Sequence, residues 1–203
     1  MRKGTILLYS VDLSANRDNA YSFSLLSEGC ESIAWISDIK FCERINGEGD
    51  REVMLAAGSH DKKMYSYTLP QESDNNIGEE WTNCLKKPKF IFNKHSSAVI
   101  HLDFSSDGRY LQTNCQAAEL LFCNAENGKH ETSASKLADY NNHVSLHDDD
   151  EEDKDGEKHW SSQTCTLGWP VQGIWFDYPV YIWLYYLILF YYPVYTRLYC
   201  VIL

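Results

Sequence analysis

The sequence lacks the short motifs that announce chemistry. It has no nucleotide-binding loop, no G-x-S-x-G and no H-E-x-x-H, so nothing in it points to phosphoryl transfer, esterase-type acyl transfer or zinc proteolysis. It also lacks a positive balance: 18 Lys and Arg stand against 29 Asp and Glu, a formal net charge of −11. That argues against a nucleic-acid surface, which needs clustered Lys and Arg to neutralise phosphates. The N-terminus, Met-Arg-Lys-Gly-Thr-Ile, has no apolar stretch of the signal-peptide kind. The seven cysteines (Cys30, Cys42, Cys84, Cys115, Cys123, Cys165, Cys200) are odd in number and form no C-x-x-C pair. Together these features predict a reducing compartment with free, structural thiols. Helical periodicity is weak throughout, and Ser133–Ala138 offers one turn at most.

What is present favours β-structure. The chain's 203 residues suffice for one ordinary hydrophobic core, and its 14 Tyr, 8 Phe and 6 Trp suit pleated surfaces. The acidity is local. Residues 139–159 hold nine acidic side chains against Lys154 and Lys158, or −7 of the −11. This insert has few apolar anchors and reads as disordered. Gln71–Glu80, polar and Asn-rich, reads as an exposed loop.

The organising signal is an internal repeat. Leu55-Ala-Ala-Gly-Ser-His-Asp-Lys-Lys-Met-Tyr-Ser-Tyr67 aligns without gaps on Leu111-Gln-Thr-Asn-Cys-Gln-Ala-Ala-Glu-Leu-Leu-Phe-Cys123. Upstream, Ile36–Phe41 corresponds to Val99–Phe104, and Lys3–Tyr9 matches Asp61–Tyr67 as a partial third copy. Each unit predicts strand, turn, strand, turn, strand, with a fourth strand to follow. In the later unit the first turn is Ser105-Ser106-Asp107-Gly108-Arg109, where Asp-Gly supplies the left-handed backbone of a tight hairpin. The earlier unit has a longer loop over Cys42–Arg51. Units of this size describe propeller blades, small sheets that complete their core by stacking. An unrelated β-sandwich of similar hairpins is the alternative.

His95-Ser-Ser-Ala-Val-Ile-His-Leu-Asp-Phe-Ser-Ser-Asp-Gly-Arg-Tyr-Leu-Gln-Thr-Asn114 resembles a WD-repeat blade, and more narrowly the echinoderm microtubule-associated protein-like family. Ala56–Tyr67 is similar to that family's preceding blade, and Thr164–Trp175 to a segment that follows in its tandem propellers. The resemblance covers roughly residues 1–138 and 160–175. It implies an all-β, partial WD-repeat propeller of two to three blades, and a non-catalytic, cytoplasmic scaffold bound to tubulin or other cytoskeletal proteins. No cofactor, metal or nucleic-acid partner is expected. Four segments follow: blades over 1–138, the acidic insert over 139–159, a family-like piece over 160–177 and an apolar tail over 178–203.

A typical WD blade is locked by a His, a Ser or Thr, an Asp and a Trp. Ser59 and Asp61 fit two of these positions, but no His occurs near Glu28–Ser32. The later unit has His95 and Thr113, while its turn Asp has become Ala117. Neither unit has the full network, which leaves blade stability to packing. A closed propeller needs typically four to eight blades, so the chain reads as a fragment or an alternative product of a longer gene.

Tyr178–Thr196 is uncharged and long enough for a membrane span, which makes a membrane-tethered adaptor the second hypothesis. Tyr spread through the stretch, and Pro179 and Pro193 set only about 13 residues apart, weigh against a span. A tail of altered splicing and a set of buried or aggregating strands are the other readings. Lys86, Lys87 and Lys89, with Lys94 nearby, form the only basic cluster, a loop suited to an acidic microtubule surface. Asp107 reads as a turn residue with Gly108, and Asp103 as an outward strand position. His143, His147 and His159 beside the acidic run read as solvated and not as a metal site.

Overall fold

Strands form where β-branched and aromatic residues run between turn residues, and they assemble into three small antiparallel sheets. The computed structural model describes residues 4–12, 22–29, 31–71, 79–141, 158–162, 164–167 and 197–202. The elements are β1 (Ile6–Asp12), β2 (Ser22–Gly29), β3 (Ile36–Ile45), β4 (Arg51–Ser59), β5 (Met64–Leu69), α1 (Glu79–Asn83), β6 (Phe90–Phe92), β7 (Val99–Phe104), β8 (Tyr110–Cys115), β9 (Leu120–Asn124), β10 (His130–Glu131), α2 (Ala134–Asn141), α3 (Thr164–Leu167) and β11 (Arg197–Ile202). Sheet orders are β11-β1-β2, β3-β4-β5-β6 and β10-β9-β8-β7. The second and third sheets are consecutive four-stranded meanders, each with the expected fourth strand. This is a partial WD-repeat propeller.

The repeat seen in the sequence holds down to backbone detail. Lys62 (φ 73) and Ala118 (φ 60) are the non-glycine residues with left-handed backbone among the described residues, and they occupy the same repeat position, in the turn between the second and third strands. Each such residue costs roughly 1–2 kcal/mol, so a shared site marks a shared turn. β3 bulges between Ile36 and Asp38, and β7 bulges between Val99 and His101, again at equivalent positions. The partial third copy also holds: β1 matches β5, and β2 pairs with β1 as β6 pairs with β5. β11 lies on the other edge of β1, antiparallel, with Ile6 opposite Ile202. It thus takes the place that β4 takes beside β5.

Local differences from the sequence expectations have physical causes. The Cys42–Arg51 loop shrinks to Asn46–Asp50, because β3 and β4 pair out to Ile45↔Arg51. Asn46 Oδ1 accepts the Glu48 and Asp50 amides, each at 2.9 Å, and Gly49 (φ 91) closes the turn. Glu79 and Glu80, placed in a loop from sequence, open α1, which buries Trp81. α2 runs to Asn141, past the single turn expected and across the assumed boundary at 139. Most of the acidic insert, residues 142–157, lies outside the described residues, as do residues 168–196 with the candidate span. No helix among the described residues is long and apolar enough to cross a membrane.

The core is made by stacking sheets. β4 carries an unbroken apolar run, Val53–Ala57, because both of its faces are covered. Leu55 and Ala57 pack with Ile6, Leu8 and Leu26 of the first sheet. Met54 and Ala56 pack with Leu102, Phe104, Leu111 and Cys123 of the third. Burying one such Leu contributes about 1.5–3 kcal/mol. The far face of the third sheet is not left open. Leu137, Tyr140 and Trp160 cover Tyr110 and Phe122, and α3 sits on β7 and β8.

Polar junctions register the stack. Ser37 Oγ donates to the Val99 carbonyl at 2.7 Å, and the Leu102 amide donates to Asp38 Oδ2 at 3.1 Å, so β3 is tied to β7. One step further along, Asp103 does the same for the segment 160–165. Asp103 was expected on an outward strand position; it is fully buried. It accepts the Thr164 amide at 3.0 Å, the Cys165 amide at 2.8 Å, the Thr164 hydroxyl at 2.5 Å and Gln112 Nε2 at 2.9 Å, together with the Ser162 hydroxyl. The correction has a plain cause: strand alternation assigns one face to water, but this face is covered. Asn114 Nδ2 adds a bond to the Cys165 carbonyl at 3.1 Å. These donors outweigh the cost of burial and hold the Asp103 carboxyl below its ordinary range.

Asp38 behaves in the opposite sense. Burial pushes its carboxyl up to about 6, with nearby Asp103 adding to the rise and Lys40 and the Leu102 amide opposing it. His101 Nδ1 stands 3.9 Å away. A folded pKa above the unfolded 3.8 means that the native state binds the proton more readily. This term is therefore absent below about pH 4 and grows as pH rises through 6, to on the order of 3 kcal/mol of destabilisation. Asp38→Asn is expected to raise the unfolding midpoint at pH 7.5, with the gain over wild type vanishing near pH 4; a pH-independent difference in urea titrations would contradict it. Asp103→Ala strands several buried donors at 1–3 kcal/mol each. It should cost about 3 kcal/mol or more and speed hydrogen exchange in residues 158–167 before the blades open. Unchanged exchange there would show that Asp103 does not hold the segment.

Candidate partner-binding surface

An antiparallel blade puts its turns at two ends. The chain entering the first strand and the turn between second and third strands meet at one end. The first turn and the link between third and fourth strands meet at the other. In the second sheet the first of these ends is locked by Ser32, Ser59, Asp61 and Tyr65. The Ser32 and Ser59 hydroxyls are 2.6 Å apart, and Ser32 Oγ donates to Asp61 Oδ2 at 3.2 Å. Tyr65 OH donates to the same oxygen at 2.5 Å, and the Ile33 amide adds a bond at 3.3 Å. Ser59 Oγ also reaches the Trp35 carbonyl at 3.0 Å. Ser59 and Asp61 thus meet at this end of the blade, and buried Ser32 stands at the repeat position that His95 takes in the next.

The equivalent end of the third sheet uses different atoms. His95 Nε2 and Thr113 Oγ1 are 2.7 Å apart, as the sequence pairing implied. The turn Asp lost at Ala117 is made good by Glu119, two residues on. Glu119 accepts the Ser96 amide at 2.9 Å and the Ser96 hydroxyl at 2.7 Å, and lies 3.5 Å from His95 Nδ1. Those Ser96 bonds pull its carboxyl down to about 2. Both blades therefore carry a polar lock as well as packing, contrary to the expectation that packing would act alone. Neither Ser32 nor Glu119 matched the family pattern, so residue-by-residue comparison passed over both.

Beside the first lock, Ile33 and Trp35 are 68% and 58% exposed, with the Trp35 ring 5.8 Å from that of His60. Two large apolar groups held out by a bonded turn make a surface that a partner can cover.

The other end carries charge. Arg44 Nε and Nη2 donate to Glu52 Oε2 at 2.9 and 2.6 Å, and Thr68 Oγ1 donates to Glu52 Oε1 at 2.9 Å. Lys89 Nζ lies 2.8 Å from Glu52 and 3.2 Å from Glu126, and Arg44 also pairs with Glu126. Two cations and two anions balance across the junction of the second and third sheets. The four lysines grouped in sequence are thereby divided. Lys89 is committed to this cluster. Lys86 and Lys87 are exposed and form no ion pair among the described residues. Lys94 lies past β6, toward the opposite end of the blade, about 16 Å along the strand from Lys89 at the usual rise per residue.

Asp107 lies in the turn between β7 and β8. Its Oδ1 accepts the Ser105 hydroxyl at 2.7 Å and the Arg109 amide at 3.0 Å, and its Oδ2 accepts Tyr140 OH at 2.5 Å. Gly108 (φ 68) is required twice over, since a Cβ there would meet Arg44 Cβ at 2.6 Å. His159 packs its backbone against Ser106, the Ser106 amide donating to its carbonyl at 2.8 Å; His143 and His147 lie outside the described residues.

No family model matches the chain. Individual relatives do. It is 30% identical over 123 residues to human "Echinoderm microtubule-associated protein-like 3", covering 61% of this chain and 11% of that protein. It is 28% identical over 167 residues to the rat "Echinoderm microtubule-associated protein-like 2", covering 76% and 21%. It is 30% identical over 121 residues to the "77 kDa echinoderm microtubule-associated protein" of Lytechinus variegatus, covering 60% and 14%. The chain thus spans between about a tenth and a fifth of the length of these relatives. Together with the repeat register and blade geometry, these matches show that the blades are similar to those of echinoderm microtubule-associated protein-like proteins.

Proposed function

We propose that this chain is a non-catalytic, cytoplasmic protein-binding scaffold that associates with the microtubule cytoskeleton. The observation that carries this reading is the kinship of its blades with proteins named for microtubule association. The surface chemistry is compatible. The described residues form stacked blades whose loops are held by side-chain hydrogen bonds, which is how a scaffold presents a fixed surface at low entropic cost. Desolvation pushes the Cys42 thiol up to about 11 and that of Cys123 up to about 12, which disfavours a nucleophilic thiolate at either position.

The contact to an acidic filament falls to Lys86 and Lys87. They are the exposed pair in a loop beside a cluster that has already neutralised itself. Such rim charges act mainly on encounter and are screened by salt. Co-sedimentation with polymerised tubulin is expected to carry the chain into the pellet at low ionic strength and release it as salt rises. Lys86→Glu with Lys87→Glu should weaken pelleting about fourfold or more, from two exposed charge pairs at about 0.2–1 kcal/mol each with the sign reversed. Lys94→Glu should change it little. A wild-type chain that stays in the supernatant at low salt rules out direct binding; a double variant that pellets like wild type moves the contact elsewhere, with Trp35 the next surface to change.

A further inference from the structure

We propose that His95, Cys115 and Glu119 form a divalent-cation site of the zinc class, closing the end of the third blade. The three residues come from the entry to β7, the end of β8 and the start of β9. Their ligand atoms, His95 Nδ1, Cys115 Sγ and a Glu119 carboxylate oxygen, all lie within 4.8 Å of one another.

The hydrogen bonds around His95 leave an unanswered atom. Thr113 Oγ1 donates its proton to the Leu121 carbonyl at 3.4 Å. In the tautomer that carries the His95 proton on Nε2, Thr113 Oγ1 receives it across their 2.7 Å contact, and the neutral imidazole has a bare lone pair on Nδ1. Burial lowers the His95 pKa and favours that neutral form. The side chain is wholly buried and Nδ1 has no hydrogen-bond partner. It faces Glu119 Oε2, an anionic acceptor, at 3.5 Å. In that tautomer a cation bound between Nδ1 and Glu119 would take the place of the proton that otherwise joins them in the lock.

Two of the three ligand-to-ligand spacings are close to what such an ion needs. Bonds of about 2.0 Å to N and O and 2.3 Å to S give ligand-to-ligand edges of roughly 3.3–3.7 Å in a tetrahedron. Observed edges are 3.5 Å from His95 Nδ1 to Glu119 Oε2 and 3.2 Å from Cys115 Sγ to the same oxygen. The surrounding bonds behave as an outer shell: Thr113 fixes the imidazole, and the Ser96 amide and hydroxyl fix the carboxylate. A thiolate, a carboxylate and a neutral imidazole balance a 2+ ion, so the complex is neutral. The Cys115 thiol releases its proton to solvent on binding. Glu119, 35% exposed, leaves a way in and room for a water as fourth ligand.

The test is titration of the full chain with Co²⁺, read by thiolate-to-metal charge transfer in the near ultraviolet, with Zn²⁺ displacing the signal. One equivalent of charge-transfer signal and release of one proton are expected. Cys115→Ser should abolish the charge-transfer band, Glu119→Gln should weaken binding about tenfold or more, a loss of the size seen when coordinating shells are disturbed, and Cys42→Ser should leave both unchanged. Circular dichroism checks that each variant keeps its strands. A wild-type chain without the band overturns the site, as does a band that survives Cys115→Ser. Should Cys115→Ser not fold, an unchanged affinity in Glu119→Gln overturns it.

Discussion

A four-stranded sheet of this composition cannot exist alone, because both of its faces are apolar. β4 shows the constraint most clearly: Met54 and Ala56 need cover on one side, Leu55 and Ala57 on the other. Every other feature follows from finding that cover. The second sheet is sandwiched between the first and third, and the third takes α2, Trp160 and α3 as its outer layer. Hydrophobic stacking supplies most of the free energy but little positional information, since it is non-directional. The polar junctions supply the register.

Those junctions use one device twice. Asp38 reaches from β3 to a backbone amide of β7, and Asp103 reaches from β7 to the amides of Thr164 and Cys165. The two carboxylates differ in how well their burial is answered. Asp103 collects four side-chain and backbone partners beyond its own sheet's Gln112, and is held ionised. Asp38 has the Leu102 and Ile39 amides and the more distant Lys40, at 3.6 Å, and burial still raises its proton affinity. A buried carboxylate with enough donors fixes geometry; one with too few makes its junction sensitive to pH. Ser162, Thr164 and Cys165 thus dock on the third blade as that blade docks on the second.

Much of this was legible in the sequence where the chain repeats itself. The gapless match of Leu55–Tyr67 on Leu111–Cys123 marked the strands and the turn between them, and the structure adds that the left-handed residues Lys62 and Ala118 share one repeat position. What stayed illegible lay between units or across them. Ser32 and Glu119 do the work of a His and an Asp from positions that no pattern marks, since a lock needs only atoms in reach, not residues in register. Asp103 misled because alternation along a strand presumes one wet face. Lys89 joined Lys86 and Lys87 in sequence but not in space, because Glu52 and Glu126 draw it inward.

The same geometry limits what these blades can bind alone. With Lys89 neutralised, the exposed positive charge near β6's leading end is two lysines, and two screened charges give weak, fast-exchanging contact. Relatives of this family are five to ten times longer than the matched stretch, so blades like these ordinarily act beside others. Joining weak contacts on one chain raises the effective concentration of each and multiplies affinity without improving any single contact. On that reasoning the locks matter more than the lysines. Ser32–Asp61 in one blade and His95–Glu119 in the next each fix the loops of their own blade end, so that a partner would meet preformed surfaces on neighbouring blades.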